Sequence, residues 1–118
     1  MNTRKNILYT YKIKSARVID GDTAEVVADL GFYINITIRV RFAGINTPEL
    51  NSQILEERQL AVLAKAETVA WFEKNKDQII LYSKSVDKYG RYIGRFENWN
   101  KESINDILLE KKLAVKYL

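Results

Sequence analysis

The sequence predicts an α+β fold: a five-stranded Greek-key β-barrel of the OB type with two helices, in the order β-β-β-α-β-β-α. Three observations lead there. Between residues 34 and 42, Ile34, Ile36, Ile38, Val40 and Phe42 fall on one face and Asn35, Thr37, Arg39 and Arg41 on the other, the period of a half-buried antiparallel strand. From about Gln53 to Lys74 there is no glycine or proline, and the apolar residues recur at helical spacing. Three strand patterns precede this helix and two follow it, which suggests five short antiparallel strands closing into a small barrel. A chain of 118 residues has room for one core, so a single domain over 1–118 is expected.

Residues 1–6 are polar and are expected to be disordered. In the first strand Tyr9, Tyr11 and Ile13 alternate with Thr10, Lys12 and Lys14, and it runs to about Ile19. Asp20-Gly21-Asp22 is a turn signal, and TAEVVADL makes the second strand, ended by Gly31. The third strand is the alternating segment already described, and both of its arginines point away from the aliphatic row. Pro48, the one proline, lies in the loop that follows and cannot continue a ladder. In the long helix Leu60, Leu63, Ala64, Ala70 and Trp71 are expected to form the buried stripe. IILYSKSV is the fourth strand, DKYG a turn and RYIGRF the fifth strand. Ser103 and Asp106 have capping-box spacing and open the second helix.

Composition removes several chemistries. There is no cysteine and no histidine, so thiolate metal sites, cysteine nucleophiles and the usual neutral-pH base are excluded. Catalysis would have to use carboxylates, lysine, tyrosine, hydroxyls or a hard metal ion. A net charge of +4 and a pI near 9.3 are compatible with a polyanionic partner without requiring one. No apolar run approaches signal-peptide or membrane-span length. The chain as given is therefore expected in the cytoplasm, or outside the cell if a leader has been removed.

Three pieces carry the chemistry: VIDGDT at 18–23, RFAGINTPE at 41–49 and DKYGR at 87–91. Each lies at a strand end, where a rigid barrel can bring distant residues together. Arg41 and Arg91 suit a phosphodiester, because a planar guanidinium meets two phosphate oxygens and keeps its charge. Glu49 is the candidate to orient or deprotonate water, the task histidine would otherwise take. Arg39 reads as a solvated strand charge. Asp20 and Asp22 suit a plain turn equally well, and Tyr82, Tyr89 and Tyr92 read first as packing aromatics.

In their order and spacing, VIDGDT, the Arg41-to-Glu49 interval ending in NTPE, and DKYGR together resemble the thermonuclease family, calcium-dependent nucleases related to staphylococcal nuclease. Leu113, Ala114 and a nearby tyrosine extend the resemblance to roughly residues 9–117, nearly the whole chain. The resemblance implies that Arg41 and Arg91 hold the scissile phosphate and that Glu49 is the catalytic carboxylate. It implies calcium held by Asp22, Asn46 and the Thr47 carbonyl, with Lys88 and Tyr89 on a terminal phosphate and Tyr117 stacking a base. The implied activity is hydrolysis of DNA and RNA with little sequence preference, leaving 3′-phosphate and 5′-hydroxyl ends.

The sequence departs from the family pattern in three places. Asn46 stands where the family usually has a second aspartate, and Lys112 where it usually has the glycine that ends the second helix. The chain also stops at Leu118, short of a third helix, and a homodimer is one answer to what covers the edge left behind. The alternative function is an OB-type module that binds nucleic acid or protein with weak or no turnover, its basic residues and tyrosines forming a groove. A small scaffold protein is the third reading. Retention of Arg41, Glu49 and Arg91 favours the enzyme.

Overall fold

The computed structural model describes residues 9–86 and 88–117, so the expectation for residues 1–6 lies outside the described part. The elements are β1 (Thr10–Asp20), β2 (Thr23–Asp29), β3 (Asn35–Phe42), β4 (Ile45–Asn46), α1 (Leu55–Lys74), β5 (Ile79–Val86), β6 (Tyr92–Asn98), α2 (Ile104–Glu110) and β7 (Val115–Lys116). Five strands close a barrel in the order β1-β2-β3-β6-β5, and β4 pairs with β7 beside it. Among the described residues, no helix is long and apolar enough to cross a membrane.

The barrel is mixed rather than wholly antiparallel, which corrects the sequence expectation. Four of its five junctions are antiparallel, and β3 runs parallel to β6. The reason is parity: a ring of five strands cannot alternate direction at every junction. The parallel pair falls at the crossover closed through α1, since parallel neighbours need a long connection.

Inside the barrel Phe42, Phe72 and Phe96 pack with ring centroids 5.0–6.3 Å apart. Gly94 permits close packing in this wall, because a Cβ there would lie 2.6 Å from Leu81 Cδ1 and 2.9 Å from the Tyr82 carbonyl oxygen. The inward row of β3 is buried only at its end. Val40 and Phe42 are buried, whereas Ile34 and Ile36 are exposed, because β6 reaches β3 only from Val40 onward.

α1 buries Ala61, Ala64, Thr68, Trp71 and Phe72. The expected stripe is thus corrected at three positions: Leu60, Leu63 and Ala70 are exposed. Close approach decides which face turns inward. A Cβ on Gly21 would lie 2.9 Å from Ala64 Cβ and 2.9 Å from Thr47 Oγ1, a gap that an alanine face fits and a leucine face does not. The Thr68 hydroxyl donates to the Gly21 carbonyl at 2.8 Å. The helix is therefore fastened to the VIDGDT turn.

α2 is capped by Ser103, whose hydroxyl accepts from the Asn105 amide at 3.2 Å. The Asp106 half of the expected capping box is diverted: its carboxylate takes the Arg95 guanidinium on β6 in a two-point contact. Buried Asn105 donates to the Ala43 carbonyl at 3.0 Å and accepts from the Phe96 amide at 3.3 Å, which ties the helix to the turn after β3. At its C-terminus Lys112 takes a positive φ of 59°, the left-handed conformation expected there. The chain then turns back as β7, and the Tyr117 amide donates to the Gly44 carbonyl at 2.9 Å.

Candidate functional site

One open cleft of about 1040 Å³ lies at the rim where β1 turns into β2 and β3 ends. Asp22, Arg41, Asn46, Thr47, Glu49, Lys88, Tyr89, Arg91 and Tyr117 all line it. The three sequence pieces thus meet in one place.

Its centre is the Asp22 carboxylate, which is buried at 8% exposure. Oδ1 accepts from the Thr23 hydroxyl at 3.2 Å and Oδ2 from the Thr47 amide at 2.9 Å. Arg41 Nη1 pairs with Oδ2 at 3.2 Å. The same guanidinium donates to the Phe42 carbonyl at 3.3 Å and, through Nη2, to the Asn46 side-chain oxygen. It also lies 5.7 Å from the centre of the Tyr117 ring, a cation–π distance. Arg41 is brought here by strand alternation and by the close of the barrel, Asn46 by β4, and Tyr117 by β7. The β4–β7 pairing, two residues on each side, went unforeseen because two residues carry no periodicity.

The opposite side is built from the turn before β6. Tyr89 is 71% exposed, with the Arg91 guanidinium 5.4 Å and the Lys88 ammonium 5.3 Å from its ring centre. Arg91 lies just before β6 rather than inside it. Of the expected packing aromatics, Tyr89 and Tyr92 both prove exposed. Glu49 sits on the loop after β4, exposed, and its carboxylate has no hydrogen-bond or ion-pair partner among the described residues.

Two further acids line the cleft and were not singled out from sequence as site residues. Asp20, read as a turn residue, is pushed up to about 6, first by burial and then by the hydrogen bond and negative charge of Asp22. Glu57, on α1, accepts from the Ser52 hydroxyl at 3.0 Å. The signal for Asp20 was its place in VIDGDT. Glu57 carried none, since its inward direction depends on how α1 is turned.

The side-chain atoms here that could ligate a cation, on Asp22, Asp20 and Asn46, are oxygens, and burial with a neighbouring like charge raises Asp20. Both features fit a hard cation. The fit is a weak one. Arg41 already neutralises Asp22 and occupies the Asn46 oxygen, and among the described residues no group of three acidic side chains is gathered tightly enough to hold a metal.

The family model described as staphylococcal nuclease homologue matches residues 39–118. No curated protein matches the chain. The matched span includes the β3 end, the loop to Glu49 and the DKYGR turn. It leaves out Asp22, which meets these residues only in the folded chain.

Proposed function

Because the chain belongs to the staphylococcal nuclease homologue family, we propose that it is a metal-dependent nuclease acting on DNA and RNA. The observation that supports this best is the convergence of Arg41, Arg91 and an unpaired Glu49 carboxylate on one cleft. Arg41 and Arg91 bind the scissile phosphate and hold the charge that develops on its oxygens. Glu49 orients a water for in-line attack on phosphorus and takes its proton. Lys88 and Tyr89 receive a terminal phosphate, and Tyr117 offers a face to a base. Asp22, the Asn46 side-chain oxygen and the Thr47 carbonyl would hold calcium, which when bound supplies positive charge beside a phosphate oxygen.

Arg41 has a second task in this scheme. It leaves the Asn46 oxygen and part of Asp22 when phosphate arrives, so substrate and cation are taken up together. Nicking of a supercoiled plasmid with calcium, abolished by EDTA, tests the activity. Products with 3′-phosphate and 5′-hydroxyl ends are expected, and 5′-phosphates would contradict the proposed regiochemistry.

The Arg41 contacts also support a second reading, a nucleic-acid-binding module with little turnover. A guanidinium that stays on Asp22 and Asn46 keeps calcium out while Lys88, Tyr89 and Arg91 still bind a strand. Retained single-strand binding with no calcium-dependent nicking at any metal concentration would select it.

A further inference from the structure

β3 serves as a barrel stave over only part of its length. β2 accompanies it from Asn35 to Arg41, whereas β6 pairs with it only at Val40, Arg41 and Phe42. Residues 35–39 therefore have a strand on one side and, among the described residues, none on the other. Ladder alternation tells which backbone groups face the open lane. The Phe42 amide donates toward β2, to the Asp22 carbonyl at 2.8 Å, and the Ala43 amide donates toward β6, to the Gly94 carbonyl at 2.7 Å. Counting back by twos, Ile36 and Ile38 turn their backbone groups to β2, and Asn35, Thr37 and Arg39 turn theirs to the open lane.

This edge has no proline, no lysine and no bulge to blunt it. Its one charge, Arg39, lies 3.7 Å from Glu25 on its own sheet. The arm beyond it is apolar. Ile34 and Ile36 are 54% and 42% exposed, and Phe32 and Tyr33 at its tip are 93% and 105% exposed. Both tip residues sit at positive φ, 55° and 61°, a conformation that costs an aromatic residue energy.

We propose that this edge joins a second copy of the chain, β3 to β3, antiparallel about a two-fold axis at Thr37. The segment complements itself. With Thr37 opposite Thr37, Asn35 faces Arg39, and all three edge-facing residues of each copy exchange about six backbone hydrogen bonds. Ile36 of each copy meets Ile38 of the other in a close side-chain pair. No like charges are opposed. A shift of two residues in either direction leaves an edge residue unpaired. Each end of the lane stops at Tyr92, where β6 begins opposite Val40, and there the tip carrying Tyr33 of the second copy arrives. The contact is isologous and closes on itself. It rests on the β3 edge alone and is independent of both the nuclease reading and the C-terminal end of the chain.

A ladder this short falls below the roughly 1,200 Å² of stable interfaces, so weak association is expected and concentrations up to about 1 mM are needed. Sedimentation equilibrium should show a monomer–dimer transition in that range. Thr37→Pro removes an edge-facing N–H that the barrel does not use, and should give a monomer at every concentration with an unchanged far-ultraviolet spectrum. Ile36→Lys, at an already exposed position, should weaken the dimer at least tenfold, and it decides the matter if the proline variant fails to fold. Thr37→Cys introduces the only cysteine, and a short bis-maleimide should trap a covalent dimer. A monomer throughout the range, or dimerisation undiminished in Ile36→Lys, would overturn the proposal. So would sedimentation to aggregates larger than two.

Discussion

The two sides of the cleft present the same kind of cation in different settings. Arg41 is held at four points, by Asp22, the Phe42 carbonyl, Asn46 and the Tyr117 ring, and its side chain is 13% exposed. Arg91 stands on a turn beside an exposed tyrosine. The first comes from the barrel wall and is preorganised, and its charge also balances a buried carboxylate. The second is presented by a short turn, next to an aromatic face that a ligand can reach. One chemical role therefore carries two structural consequences, and substitutions should separate them.

The largest expected effect is on turnover. Arg41→Ala, Arg91→Ala and Glu49→Gln should each lower the plasmid-nicking rate by about 10²–10⁴-fold, since each removes charge stabilisation or proton acceptance at phosphorus. Full activity in any one variant removes that residue from the proposed site. Arg39→Ala, outside the cleft, should change the rate less than about twofold, as a surface charge held by a weak ion pair would.

Stability should divide the two arginines. Arg41→Ala leaves Asp22 buried without its cation, a cost of about 1–3 kcal/mol in chemical denaturation. Arg91→Ala should cost less, because the residue stands on a turn beside an exposed ring rather than against the buried Asp22 carboxylate. Equal losses in the two variants would erase the contrast between a cation that balances a buried carboxylate and one set beside an exposed ring.

Metal demand should respond to Asn46. An asparagine offers calcium only a neutral oxygen, and the site is expected to need about 10⁻⁴–10⁻³ M calcium. Asn46→Asp should lower the concentration for half-maximal nicking without changing the product ends. Because Arg41 already donates to this oxygen, the added charge should also strengthen that contact, and the gain in metal affinity should be smaller than an unoccupied ligand would give. An unchanged calcium requirement would detach position 46 from the metal.

The smallest effect lies away from the cleft. The Arg95 guanidinium holds the Asp106 carboxyl below the usual carboxylate range through a two-point hydrogen-bonded contact. A depressed folded-state value means that stability is present above about pH 4, the unfolded value, and is lost as pH falls through the folded one. Asp106→Asn should therefore cost about 0.5–1 kcal/mol at pH 7, and the difference from the parent should vanish in acid.

Much of the fold was legible because its signals are local. The period of two in residues 34–42 placed Arg41 outward, and the two aspartates around Gly21 marked the turn that became the floor of the cleft. The α1 stripe was misread for a physical reason. Apolar residues lie around most of that helix, so spacing admits more than one inward face, and the choice fell to the narrow gap at Gly21 that accepts Ala64. Only the Asp106 half of the capping box failed, because Arg95, eleven residues away in sequence, competed for its carboxylate.

The sequence by itself determined the chemical inventory: two arginines, a lone glutamate and an aspartate turn at strand ends, with no histidine or cysteine to offer another route. Only the tertiary structure decided how those groups stand to one another. It joined Arg41 to Asp22 and Asn46, carried Tyr117 to the cleft through a two-residue pairing, raised Asp20 beside Asp22, and ended β6 short of the β3 edge. Each depends on distances between segments remote in the chain. Periodicity and spacing report which way a side chain leaves its own strand or helix, and barrel closure determines what it meets there.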